Sequence, residues 1–362
     1  MKQMNKISSE SIDIKNLLLC HFDSYPQLQP EDIFKYIYQS AFGCEHLIED
    51  ESTALKHILN EYDASLNNTP PLTEKLCGAC SRVHLSWLNK GLSAKTLAKL
   101  FYLSSKAEAV GESLLLQMLD VAQELIKLEA THIRYNDFSD KLYEWKNKGY
   151  PALHHSEAFR GIYKPAYRVI SDKYAIYLDI FTTIDQLIKN QSSGIIAVEG
   201  GSASGKTTLS DILNEVYDCN VIHMDDFFLR PEQRTAKRFS EVGGNVDRER
   251  FIEEVLVALT NKEEICYRPF DCSTQALSEK IVLPHKYLTV VEGVYSTHPA
   301  FSDYYDYSVF LDISPELQKS RILHRNSEKL ARRFFEEWIP LENTYFSATD
   351  IKNRVNLIIP VK

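Results

Sequence analysis

The spacing of apolar residues changes character about halfway along the chain. In the first 130 residues it follows the helical period. Pro30 with Glu31 and Asp32 opens a helix, Ile33, Tyr36, Ile37 and Ser40 share one face of it, and Gly43 is its natural stop. Leu47, Ile48, Ala54, Leu55, Ile58 and Leu59 predict a second helix, and Asn67 to Leu72 (NNTPPL) a loop. Leu92–Leu103 and Leu114–Leu128 predict two more. The latter has a broad apolar face (Leu115, Met118, Leu119, Ala122, Leu125, Ile126), as a core helix does. Residues 131–170 lose the period. They are rich in Tyr, His and Arg, break at Gly149, Pro151 and Pro165, and read as an irregular linking segment. A helix over Ser171–Lys189 follows.

From Gly194 the pattern becomes short apolar runs separated by helical stretches. Ile195–Val198, Val221–Met224, Leu288–Val291 and Tyr307–Leu311 predict strands, and Arg248–Asn261 and Pro315–Arg325 predict helices. Alternation of this kind predicts an α/β domain, a parallel sheet flanked by helices, preceded by a mostly α-helical N-terminal domain. The expected domains are 1–170 and 171–362. Right-handed crossovers would bring the loops after each strand to one edge of the sheet.

Composition narrows the classes. A chain of 362 residues suits two domains, and 44% hydrophobic with 25% charged residues is ordinary for a globular protein. A formal net charge of −9 argues against nucleic acid or an anionic membrane as the main partner. There is no signal-like apolar segment near the N-terminus and no run of about 18 apolar residues. With seven cysteines, an odd number in a large chain, the expected compartment is a reducing cytoplasm. A homo-oligomer is compatible with all of this.

The chemistry concentrates at Glu199–Thr208 (EGGSASGKTT). Gly200, Gly205, Lys206 and Thr207 satisfy G-x-x-x-x-G-K-[ST] between a predicted strand and a predicted helix, the context that a phosphate-binding loop needs. Glycines let backbone N–H groups turn inward on a phosphate, and the helix N-terminus adds partial positive charge. Gly200, Gly201, Ser202, Ala203, Ser204, Gly205, Lys206, Thr207 and Thr208 are the expected ATP-binding residues, Lys206 bridging outer phosphates and the Thr207 hydroxyl ligating Mg²⁺.

Two further strands end in acids. Asp225 and Asp226 follow the run at 221–224; Asp225 is the expected proton acceptor and a possible Mg²⁺ contact, while Asp226 could cap the following turn. Glu292 follows the run at 288–291, where a carboxylate can hold Mg²⁺ or its waters. Arg321, Arg325, Lys329 and Arg332 or Arg333 recur at about four-residue spacing, which aligns them on one helix face. They suit either a mobile lid that neutralises a transferring phosphoryl group or a solvated helix face.

Residues from about 194 to 362 resemble the uridine kinase and phosphoribulokinase-like family of P-loop kinases. The resemblance is carried by GGSASGKTT, MDDFF at 224–228, GGNVD at 243–247, RPFDCST at 268–274, VVEGVYSTHP at 290–299 and RILHRN at 321–326. It implies Asp225 as general base, Lys206 and the loop amides on ATP phosphates, and Thr207 and Glu292 at Mg²⁺. It also implies Asp247 on acceptor hydroxyls, Arg321 and Arg325 as catalytic lid arginines, and a helical lid over about 315–346. Phe270, Asp271 and Gln275 fall where nucleoside kinases carry a Tyr-Asp-Phe-x-Thr-His pattern. Here Cys272 replaces an aromatic residue and Gln275 the base-contacting histidine, which departs from uridine recognition. The lid stretch RRFFEEWIPLENTYF at 332–346 also departs from the usual glycine-containing one. Residues 1–170 have no counterpart in short uridine kinases.

In that first half, Cys77-Gly-Ala-Cys80 with Cys44, His46 and His84 could make a zinc site, but no second C-x-x-C accompanies it and ordinary thiols are the simpler reading. His154 and His155 could form an acid–base pair or serve structure. Two functions fit the whole. One is an ATP-dependent, uridine kinase-like small-molecule kinase transferring the γ-phosphoryl group to a hydroxyl of a uridine- or cytidine-like nucleoside or a similar hydroxyl-rich acceptor. The other is a regulatory nucleotide-binding switch whose N-terminal domain binds a partner or ligand.

Overall fold

A computed structural model describes residues 2–44, 48, 50–63, 71–191 and 193–361. Its contacts divide the chain into two units, Met1–Gln186 and Leu187–Lys362.

The first unit holds α1 (Lys2–Ser24), α2 (Pro30–Phe42), α3 (Glu51–Glu61), β1 (Thr73–Lys75), β2 (Cys80–His84), α4 (Ala94–Ser104), α5 (Glu112–Lys127), α6 (Tyr135–Asn147), α7 (Glu157–Tyr163), β3 (Tyr167–Ser171), α8 (Asp172–Ala175) and most of α9 (Leu178–Gln191). Its helices bury the predicted faces: Ile33 and Ile37 on α2, and Leu115, Met118 and Ala122 on α5, are all nearly inaccessible. The predicted second helix starts at Glu51 rather than Leu47, with the Asp50 side chain accepting from the Thr53 N–H (2.7 Å). Leu47 and Asn67–Pro70 lie outside the described residues.

The expectations for residues 131–189 are corrected here. Residues 131–170 are not an irregular linker, since they contain α6, α7 and β3. The first unit also contains an antiparallel sheet in the order β1-β2-β3, with Cys80 opposite Ser171 and Val83 opposite Arg168. The expected boundary at 170/171 falls later, and the helix expected over 171–189 is two, α8 and α9. The physical reason is pairing. β3 hydrogen-bonds to β2, the Asp172 N–H donates to Ala79 O (2.8 Å), and Asp185 on α9 accepts from the Ser93 N–H and the Thr96 hydroxyl (2.7 Å each).

The second unit is the expected α/β domain. Its sheet contains β4 (Gly194–Gly200), β5 (Asn220–His223), β10 (Leu288–Glu292), β11 (Tyr307–Ile313) and β12 (Leu357–Val361), in the order β12-β11-β4-β10-β5 with every pair parallel. β10 is buried along its whole length, as a central parallel strand must be. Between β5 and β10 lie two small antiparallel pairs, β6 (Ile265–Tyr267) with β9 (Ile281–Leu283), and β7 (Phe270–Asp271) with β8 (Ala276–Leu277). α10 (Lys206–Tyr217) follows β4. The helix expected over 248–261 forms with a π turn at Ile252–Leu256, and Pro315–Arg325 forms as expected. One core cluster of this unit is rich in aromatic residues: Phe227, Phe251, Tyr295, Phe301 and Tyr345 are buried together. Among the described residues no helix is long and apolar enough to cross a membrane.

Candidate active site

The strand order decides what meets what. β4 lies next to β10, and β10 next to β5, so three strand ends stand side by side. Glu292 pairs in register with Val198 on one side and His223 on the other. The loop after β4, the Glu292 carboxylate and the turn after β5 therefore share one edge, the place where open parallel sheets bind ligands.

Gly200 begins the loop with φ 150°, and a Cβ there would stand 2.7 Å from the Leu311 carbonyl, so a side chain is excluded by backbone. Ala203 (φ 61°) and Gly205 (φ 100°) turn the chain through left-handed conformations into α10. The Lys206 ammonium donates to Gly201 O (3.0 Å), folding the lysine back over its own loop. Thr207 and Thr208 are exposed on the first turn of α10.

The Thr207 hydroxyl donates to Glu292 Oε1 (3.1 Å), and His223 Nδ1 lies 2.6 Å from the same oxygen. That bond raises the His223 pKa above its ordinary value, more than burial lowers it. Asp225 and Asp226 part company. Asp226 Oδ2 accepts from the Tyr267 hydroxyl (3.0 Å) and its carbonyl from Arg250 Nη2 (2.7 Å), so it ties the turn to β6 rather than capping it. The Asp225 carboxylate is engaged by no hydrogen bond or ion pair among the described residues and is open to solvent. Surrounding protein atoms raise its pKa, Lys206 pulls it down, and the carboxylates of Glu292 and Asp226 push it up again. The hydroxyl and carboxylate donors are hard oxygens. Among the described residues no three His, Cys, Asp or Glu side chains form a complete metal cage. An open oxygen set of this kind fits Mg²⁺, which keeps waters and shares substrate phosphates.

Asp247 is almost fully buried and N-caps the helix that starts at Arg248, accepting from the Arg250 N–H (3.3 Å). Its Oδ2 has Arg250 Nε at 3.4 Å and Arg230 Nε at 3.7 Å, yet makes no hydrogen bond. The preceding glycines are steric requirements: a Cβ at Gly244 would stand 1.9 Å from the Arg238 carbonyl. Phe270 is buried under the Arg234 guanidinium (5.4 Å), and β7 packs against the Met224–Phe227 turn. Asp271 and Gln275 are spent within their own hairpin. Asp271 accepts from the Ser273 N–H (2.7 Å) and hydroxyl (2.6 Å), which lowers its pKa, and the Gln275 amide donates to Cys272 O (2.5 Å).

The expected lid is helical over Pro315–Arg325, Glu328–Arg333, a π turn at Phe334–Trp338, and Ile339–Ala348. Arg321 Nη1 donates to Ala203 O in the phosphate loop (3.1 Å), whereas Arg325 is exposed. Arg333 pairs with Glu337 (3.1 Å) and stacks on Trp338.

Several residues at this site escaped the sequence reading. Gln318 donates to Ser202 O (2.9 Å), and Glu342 accepts from the Ser202 N–H (2.9 Å) and hydroxyl. Glu199, buried at the end of β4, accepts from the backbone N–H groups of Gly200, Tyr295 and Thr297 (3.1 Å each) and from the Tyr345 hydroxyl (3.3 Å). It clamps the phosphate loop to the segment after Glu292. A carboxylate closing an apolar run was the available signal for Glu199; Glu342 and Gln318 offered none.

In the first unit, His84 Nδ1 is taken by Ser86 (2.7 Å to its hydroxyl), and His46 lies outside the described residues. His155 bridges Asp32 and Tyr167 (3.0 and 2.7 Å), a buried structural position, while His154 is exposed.

No protein-family model matches the chain. A curated protein of Schizosaccharomyces pombe named "Putative uridine kinase" is 25% identical over 185 residues, which cover 44% of this chain and 78% of that protein. A solved structure described as a possible uridine kinase from Bacillus stearothermophilus covers 50% of this chain and 99% of its own, at 20% identity and a TM-score of 0.38. Shikimate kinase from Bacteroides thetaiotaomicron covers 46% of this chain and 86% of its own, at 15% identity and a TM-score of 0.27. The similarity of 44% of the chain to a uridine kinase-named relative accords with the resemblance read from residues 194–362.

Proposed function

We propose that the second unit is an ATP-dependent small-molecule kinase that transfers the γ-phosphoryl group to a hydroxyl of a nucleoside or a similar hydroxyl-rich acceptor. The observation that carries this is the pairing of a phosphate loop with one unengaged carboxylate, Asp225, on the same sheet edge. A switch needs the loop and the metal-holding residues but has no use for an uncommitted base.

In this reading Lys206 and the loop amides bind the phosphate oxygens of ATP, and Thr207 and Glu292 hold Mg²⁺ with Asp225 beside them. Mg²⁺, when bound, neutralises phosphate charge. Asp225 takes the proton from the acceptor hydroxyl as its oxygen bonds to the γ-phosphorus and ADP leaves. Its raised pKa makes it a stronger base than an ordinary aspartate. Arg321 and Arg325 meet the charge on the transferring group. Asp247 Oδ2 accepts from acceptor hydroxyls, with Phe270, Asp271 and Gln275 near the remainder of the acceptor. A cytoplasmic setting goes with such chemistry.

ATP turnover by the full chain, screened against nucleosides, pantothenate-like alcohols and sugar phosphates, tests the reading. Turnover should rise with a nucleoside and fall about a hundredfold or more in Lys206→Ala. Failure of every acceptor, or near-normal turnover in Lys206→Ala, sinks it.

A further inference from the structure

The first unit contains a cavity of about 770 Å³ lined by α2, α3, α7 and β3, within the size range of small-molecule sites. Its lining carries four lysines and arginines (Lys35, Arg160, Lys164, Arg168) against one carboxylate, Glu61. In a chain of net charge −9 that local excess needs a physical account.

The cations divide into a fixed pair and an open pair. Arg168 is nine-tenths buried, and its Nη1 donates to Glu61 (2.8 Å) and to Tyr167 O (2.8 Å) while the guanidinium lies over the Phe101 ring (5.6 Å). Those bonds employ Nη1 alone, and among the described residues no hydrogen bond engages Nε or Nη2 of this cavity-lining residue. Lys35 donates to Leu153 O (2.8 Å), and burial together with the Arg82 charge pushes its pKa down to about 8. Positive charge is thus held here at a cost that an anion would relieve. Arg160 lies in α7 and Lys164 is the left-handed residue that caps its end; both are exposed, with no side-chain partner among the described residues. His155, also in the lining, is held between Asp32 and Tyr167 and so fixes part of the cavity wall. A preformed, ringed cavity with two anchored and two free cations is built for an anion rather than for solvation of isolated charges.

We propose that this cavity binds a small organic anion carrying a phosphate or carboxylate group, with Arg168 and Lys35 as its fixed contacts, Arg160 and Lys164 closing on it from the rim, and Phe101 meeting its apolar part. All of its lining residues belong to the first unit.

Isothermal titration of the full chain with inorganic phosphate, ribose 5-phosphate, citrate and uncharged ribose tests this. The phosphate and citrate arms separate the two anionic groups, and ribose controls for charge. The phosphate loop is a competing site, so each titration is repeated in Lys206→Ala and in the double variant Arg160→Glu with Lys164→Glu. Both rim residues are exposed and have no side-chain partner among the described residues, and an unchanged thermal midpoint checks that the double variant folds. The expected result is saturable binding of at least one anion and not of ribose. It should survive in Lys206→Ala and weaken at least about tenfold in the double variant. No anion binding at millimolar concentration, binding lost in Lys206→Ala, or binding unchanged in the folded double variant would each overturn the proposal. Should the double variant misfold, the neutral pair Arg160→Gln with Lys164→Gln is judged by the same loss.

Discussion

The Glu342 carboxylate accepts a hydrogen bond from the Ser202 N–H, 140 residues earlier in the chain and in the middle of the phosphate loop. The Ser202 hydroxyl donates to the same carboxylate, and Glu342 is buried enough that its pKa is raised. A negative group thus stands on an amide that, in the proposed reading, faces a phosphate.

Glu342→Gln keeps the shape and removes the charge. The ATP dissociation constant should fall by roughly fivefold, about 1 kcal/mol, because phosphate no longer displaces a like charge from the loop. Calorimetric titration measures it. A weaker rather than tighter complex would mean that Glu342 holds the loop in its binding shape.

Asp225→Asn should lower kcat far more than it weakens ATP binding. Among the described residues the Asp225 carboxylate has no hydrogen bond or ion pair to lose, so the fold should be untouched, and the amide cannot take a proton. Steady-state kinetics beside ATP titration separates the effects. Equal losses in rate and ATP affinity would assign Asp225 to the metal instead.

Asp247 has two duties that two substitutions divide. Asp247→Asn can still cap the helix through its side-chain oxygen, so its cost in stability should be the smaller, while the acceptor KM rises. Asp247→Ala should lose the cap as well, about 1 kcal/mol, and leave the buried Arg250 without its neighbour. The ATP KM should hardly move in either. If Asp247→Asn leaves acceptor kinetics unchanged, the carboxylate serves the fold alone.

His155 gives the first unit a pH dependence. Burial, aided by Arg82 and Lys35, lowers its pKa from 6.5 to about 4, against the opposing pull of Asp32. The unfolded chain therefore takes up the proton first. The contribution is fully present above pH 6.5 and is lost as pH falls toward 4, up to an order of 3 kcal/mol. Denaturant unfolding at a series of pH values should show a shallower acid loss in His155→Gln than in the unaltered chain. Parallel pH profiles would assign the loss to other groups, His21 first among them, whose pKa burial also lowers.

What the sequence determined by itself is local or periodic. The phosphate loop is a contiguous string whose glycines and lysine act within one turn, and strand ends announce Asp225 and Glu292 because apolar runs stop there. Helices α2, α4 and α5 follow from their spacing. The tertiary structure decided the rest, and the reason is range. Strands β1, β2 and β3 are three to five residues long and bury Ser81, Arg82 and Arg168, so no alternation of apolar and polar residues marks them. Only their mutual hydrogen bonds make them a sheet, and that sheet carries the domain boundary past Ser171. Asp225 and Asp226 are indistinguishable as neighbours in a string; Tyr267, far along the chain, takes one and leaves the other. Glu342 on the phosphate loop, and the cations of the first unit around one cavity, are meetings of residues from separate elements. Their energies depend on burial and distance, which exist only once the chain has folded.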